Sequence, residues 1–139
     1  MHGRDSSRPG FRALAVHRFG VWRMGIRFKL LRAPFSVLAR FLERRMRNGY
    51  GIELAFGCAI GRRVVIEHQG GIVIHGSSII GDDCTLRQGV TLGMKSIEDP
   101  HAAPVLERGV DVGAGAKILG PVHIGEGAKI GANAVVVKD

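Results

Sequence analysis

Residues 106–136 read LERGVDVGAGAKILGPVHIGEGAKIGANAVV, and a large aliphatic residue returns in them every sixth position: Leu106, Val112, Ile118, Ile124, Ile130 and Val136. Upstream the same beat runs through Leu54, Ile60 and Ile66, and then through Ile74, Ile80, Leu86 and Leu92. Two places before most anchors stands a smaller residue, as at Cys58, Val64, Cys84, Val90, Val110, Ala116, Val122, Ala128 and Ala134. Neither a helix nor a hairpin sheet has a period of six, but a short strand followed by a tight turn does. Three such units close one triangular coil of about 18 residues, and stacked coils form a parallel β-helix. Strand alternation turns the anchor and the residue two before it inward. Glycines after many anchors, as in Ile80-Gly81, are expected to permit unusual corner dihedrals. Thirteen anchors predict a little over four coils.

The beat falters twice. Ile66 and Ile74 are eight apart, around His68-Gln69-Gly70-Gly71. Leu92 and Leu106 are fourteen apart, two beyond a multiple of six, with the polar stretch 94–103 in place of one anchor. Extra residues in a solenoid leave the coil as bulges or loops, and these often build the binding face.

Residues before 51 are different in kind. The net charge of +8 conceals a split: residues 1–50 hold twelve Lys/Arg and two acids, and residues 51–139 hold eight and ten. Residues 1–10 are expected to be a disordered start and 11–50 a basic helical cap segment. The first helix should span about 11–31, with Pro34 in the first turn of a second. The cap would cover the open end of the solenoid, and its arginines beside an apolar face suit peripheral contact with an anionic membrane. No basic groove studded with aromatics speaks for nucleic acid. No apolar run approaches the ~20 residues of a membrane helix, and arginines interrupt any secretory-type stretch. The sequence therefore predicts a cytoplasmic protein, peripheral at the inner membrane face. Cys58 and Cys84 read as small buried hydrophobes, without the spacing or histidine company of a zinc site. His75 and His123, beside anchors, read as outward solvent residues.

Five segments carry a resemblance: GIEL (51–54), IEHQGGIVI (66–74), IGDDCTLRQGVTLG (80–93), VGAGAKILG (112–120) and VHIGEGAKIGANAVV (122–136). Together they resemble serine acetyltransferase and its relatives in polysaccharide acetylation, the hexapeptide-repeat acyltransferases. The resemblance implies an all-β solenoid, a left-handed parallel β-helix of hexapeptide repeats with a short N-terminal α-helical segment. It further implies a homotrimer and acetyl-CoA as acyl donor, with no metal. Residues 51–139 would form the acyltransferase domain, ending in mid-repeat where the family continues through another coil and tail.

By the same resemblance His68 matches the general base and Glu53, fifteen residues earlier, its carboxylate partner. The family typically has aspartate at positions 53 and 67. A neutral imidazole with a pKa near 6.5 takes a hydroxyl proton at cellular pH, and a carboxylate on its other nitrogen fixes the tautomer. Glu67, facing the opposite way from its neighbour, would hold an acceptor's amino or hydroxyl group. Arg87 and His101 are further candidates for the acceptor. Gly93, Ala114, Lys129 and Ala132 match donor-binding positions, small residues admitting the pantetheine arm and the lysine meeting a phosphate. An Arg-His pair that helps serine acetyltransferase hold its amino acid is replaced by Ala102-Ala103. That shifts the expectation toward a sugar hydroxyl as acceptor, with serine close behind. Two competing readings are a hexapeptide-type carbonic anhydrase, whose paired histidine spacing is missing, and a non-catalytic assembly module.

Overall fold

The computed structural model describes residues 8–139. Two helices, α1 (Pro9–Met24) and α2 (Lys29–Tyr50), precede thirteen short strands. The strands fall into three parallel sheets, the faces of a triangular prism. Face A stacks β1 (Ile52–Leu54), β4 (Ile72–Ile74), β7 (Thr91–Gly93), β10 (Lys117–Leu119) and β13 (Val135–Val136). Face B stacks β2 (Ala59–Ile60), β5 (Ile79–Ile80), β8 (Val105–Leu106) and β11 (His123–Ile124). Face C stacks β3 (Val65–Ile66), β6 (Thr85–Leu86), β9 (Asp111–Val112) and β12 (Lys129–Ile130). The chain visits A, B and C in turn, so four coils and one further strand wind in a single direction.

Register accounts for both breaks in the beat. An undisturbed coil advances 18 residues, as from Val112 to Ile130 or Ile118 to Val136. Ile66 meets Leu86 after 20 residues, and Ile80 meets Leu106 after 26. Two residues leave the first disturbed coil and eight leave the second. The sequence expectation of two residues beyond one replaced rung is therefore corrected at the second break. No rung forms there, and all eight leave together from the corner between faces A and B.

The anchors point inward and touch the anchors above and below. Ile74, Ile80, Leu86, Leu92, Leu106 and Ile118 are fully buried, and Val90, Val110 and Val122 fill the space beside them. Both cysteines are free and buried; burial pushes the Cys58 thiol up to about 11 and that of Cys84 upward too. A thiol held in that state is a poor nucleophile.

Two kinds of corner glycine appear, which corrects the uniform role expected for them. The left-handed corner position is the third residue after the anchor: Arg63, Asp83, Gly89, Gly109, Gly115, Gly127 and Asn133 all have φ between 55° and 75°. At Gly61, Gly81 and Gly113, directly after an anchor, the need is for closeness instead. A Cβ on Gly81 would lie 2.7 Å from the carbonyl carbon of Glu107 in the next coil.

The helical hairpin covers the lower opening, where Ala13 and Leu14 join the buried cluster and Met46 and Tyr50 pack against it. Helix α1 starts at Pro9, a residue suited to the first helical position, and Gly10 is pressed against Ile66. Of the disordered start expected over 1–10, residues 1–7 lie outside the described residues, and 9 and 10 are helical. The hairpin turns at Gly25–Phe28, not before Pro34. Gly25 and Ile26 donate their N–H groups to Trp22 and Arg23 in a tightened last turn, and Phe28 is extended. Pro34 sits inside α2, in its second turn. Its missing N–H leaves only the carbonyl of Leu30 unmet, and that residue is open to water.

His17 fastens α1 to the first coil, its Nε2 donating to the Cys58 carbonyl at 3.2 Å with the Cys58 Sγ at 3.3 Å. Burial holds its pKa below the ordinary 6.5, helped by the Arg18 charge. Between that lowered value and about 6.5 the unfolded chain binds the extra proton, so stability rises with pH through this window and falls on acidification. Melting at pH 7.5 and 5.0 should show a larger acid loss in the parent than in His17→Gln; equal losses would contradict this.

Candidate active site

The two residues that leave the first disturbed coil can be identified. Glu67 N–H donates to Leu86 O at 3.0 Å, which sets Glu67 against Arg87. Gly89 N–H donates to Gly70 O at 2.8 Å, and Gly71 has the left-handed φ, 64°, of Gly89, at 73°. Five residues, 67–71, thus span a corner that 87–89 span above. The surplus pair is His68-Gln69, and both are exposed. Gly70, with φ at 106°, turns the chain back into the coil. An L residue is strained there.

The corner lies on the edge where face C meets face A. Along the same edge the coils above present Arg87-Gln88, Ala114 and Ala132. At about 4.8 Å per coil, Ala114 stands ~10 Å and Ala132 ~14 Å above His68. Lys129, exposed on the outer side of β12, borders this edge. Gly93 and His101 do not: Gly93 ends β7 at the opposite edge of face A, and His101 lies exposed in the loop that leaves there. Glu98 N–H donates to Ser96 Oγ and Ala102 N–H to Asp99 O, both at 3.2 Å, which tighten the loop. Ala103 is buried.

Glu53 projects from the outer side of β1 and is half-buried. Its strand abuts the bulge: Ile72 N–H donates to Gly51 O at 2.9 Å, and a Cβ on Gly51 would come within 3.1 Å of Gly70 Cα. Glu53 and His68 are each two residues from that contact. No hydrogen bond joins them, and among the described residues neither side chain has an internal partner.

Glu67 and Arg87, read separately from sequence as acceptor contacts, are bound to each other, with Arg87 Nε at 2.8 Å from Glu67 Oε2. Arg87 Nη1 also bonds Asp111 and reaches the Val112 carbonyl at 3.3 Å. Asp111, followed by Glu67, holds the guanidinium pKa above its usual range. The result is a charged clamp across three coils at the base of the His68 bulge. Asp111 was missed in the sequence. Its place one residue before the anchor Val112 marks it as outward on face C, but its partner follows only from the register.

His123 and His75 lie elsewhere. His123 is exposed and bonds Glu107 at 2.8 Å, a hydrogen bond that lowers the Glu107 pKa. His75 is only half-exposed, its Nδ1 accepting from Ser77 N–H at 3.2 Å. Asp83, held at about 2 by Arg63 and then Arg108, belongs to a surface ladder on the B–C edge. Among the described residues no three His, Cys, Asp or Glu side chains gather as metal ligands.

The bacterial transferase hexapeptide (six repeats) family model matches residues 103–138. A serine acetyltransferase of Helicobacter pylori is 42% identical over 131 residues, covering 94% of this chain and 72% of that protein. One of Synechococcus elongatus is 40% identical over 94% of this chain and 51% of its own length; the chain spans about half the length of most curated relatives it matches. Soybean serine acetyltransferase complexed with serine aligns at TM-score 0.81 and 32% identity, over 96% of this chain and 52% of that one. A serine acetyltransferase in complex with CoA aligns at TM-score 0.77 and 34% identity, over 94% and 51%. With these likenesses the three parallel sheets are those of a left-handed β-helix of hexapeptide repeats.

Proposed function

The chain belongs to the serine acetyltransferase family, and from that premise we propose that it transfers an acetyl group from acetyl-CoA to the hydroxyl of serine, with His68 as general base. The observation that carries the reading is the two-residue bulge that lifts His68 out of an otherwise regular coil. The ring takes the hydroxyl proton as the oxygen attacks the thioester carbonyl carbon. The tetrahedral oxyanion is met by backbone N–H groups of the glycine-rich corner. Collapse breaks the C–S bond, and the imidazolium returns its proton to the departing thiolate of CoA. Glu53, on the strand touching the bulge, orients the ring and steadies its positive charge.

Acetyl-CoA lies along the C–A edge in this proposal. Ala114 and Ala132 admit the pantetheine arm, Lys129 meets a phosphate, and Gly93 and His101 come from the neighbouring copy. That arrangement requires three copies in a ring, with the A–B edge of one set against the C–A edge of the next. Glu67 serves the serine ammonium group while Arg87 keeps it in place.

A sugar hydroxyl is the second reading, favoured by Ala102-Ala103, which offers an amino-acid carboxylate no cationic partner. Serine is placed first because the relatives and the complexes named above are serine acetyltransferases. Free-thiol release from acetyl-CoA against serine and a sugar panel decides between them. Turnover with serine is expected, and turnover with a sugar alone would overturn the acceptor assignment.

A further inference from the structure

We propose that the tip of the helical hairpin docks on an anionic lipid surface, with Trp22, Met24, Phe28, Leu30 and Leu31 entering the headgroup layer. This inference stands apart from the acetyl-transfer reading. The turn between α1 and α2 is apolar where it is most open: Leu30 is 91% exposed, Phe28 73% and Trp22 58%. A soluble surface rarely leaves residues of this size uncovered side by side. Trp22 is held in place, stacked on Phe19 at 5.9 Å and edge-on to Phe35 at 5.5 Å. An indole fixed at the end of an apolar tip suits the membrane interface.

Charge selects the occupant. Residues 8–42 contain eight Lys/Arg and no Asp or Glu, and Arg27 and Lys29 are exposed within the tip itself. Arg23 is not among the lipid-facing cations, because it bonds Ser36 Oγ and lies over Phe56. A second copy docking tip to tip would set like charges against each other, whereas anionic headgroups neutralise them. Among the described residues no helix is long and apolar enough to cross a bilayer, so the tip lies in the surface layer rather than spanning it.

Trp22 is the single tryptophan and therefore reports on the tip alone. The full chain is mixed with phosphatidylcholine vesicles, with or without about one third phosphatidylglycerol. It is expected to sediment with the anionic vesicles only, with Trp22 emission shifted to the blue and quenched by brominated acyl chains. Binding should fall at least ~10-fold at about 0.5 M salt and in Arg27→Glu/Lys29→Glu. Leu30→Glu/Leu31→Glu should abolish it, and both variants should melt like the parent because these side chains are exposed. Three results would overturn the proposal: no sedimentation, equal sedimentation with both vesicle types, or a Trp22 shift that follows protein concentration without vesicles. The last would assign the tip to self-association.

Discussion

Replacing His68 with alanine is expected to lower the turnover of acetyl-CoA by about 10²–10⁴-fold, the usual contribution of a positioned general base, while leaving the melting temperature unchanged. The second half of this expectation follows from the bulge. His68 is exposed and bonds no other described side chain, and surface changes of this kind usually alter stability by less than about 0.5 kcal/mol. The loss should fall on kcat more than on KM, because proton removal is needed in the transition state and not for binding. Glu53→Gln should cost less, since the base survives but its tautomer is no longer fixed. A His68→Ala protein as active as the parent would remove the residue from the mechanism, and the solenoid would survive only as a scaffold.

Much of the fold was legible in the sequence because a stacked coil repeats one packing problem. Each inward position meets its own kind above and below, so the anchors recur at a fixed interval and identify themselves. The first break was legible for the same reason, since a regular beat exposes an irregularity. The hairpin was less so. Pro34 reads as a boundary, but a proline near a helix start removes one bond whose acceptor water can satisfy, and the chain turns at Gly25–Phe28 instead. The clamp of Glu67, Arg87 and Asp111 was illegible. Its members are 20 and 24 residues apart, distances with no meaning until the two- and eight-residue excursions are assigned to their corners. The place of His101 was illegible for a related reason: its loop leaves the A–B edge of the prism, while His68 of the same copy stands on the C–A edge.

The charge split at residue 50 was also plain in the sequence, but its consequence was not. Composition gives a basic segment. Only the hairpin geometry shows that the most open of the helical apolar side chains, Phe28 and Leu30, lie at its turn, with Arg27 and Lys29 among them.

The second large effect comes from shortening the chain by His68 and Gln69 together. Glu67 would then lead directly into Gly70 and Gly71, a three-residue corner like Arg87-Gln88-Gly89. The left-handed position already falls on Gly71, so the coil can close without a new strained residue, and Ile66 and Ile74 keep their partners Leu86 and Leu92 in the next coil. Restoring the beat in this way removes the imidazole and nothing from the core. The decisive measurement is therefore acetyl-CoA turnover beside thermal melting for this shortened chain. A melting temperature within a few degrees of the parent is expected, with turnover lower by at least ~10². Turnover at the parental rate in the shortened chain, or loss of the cooperative fold, would contradict this expectation.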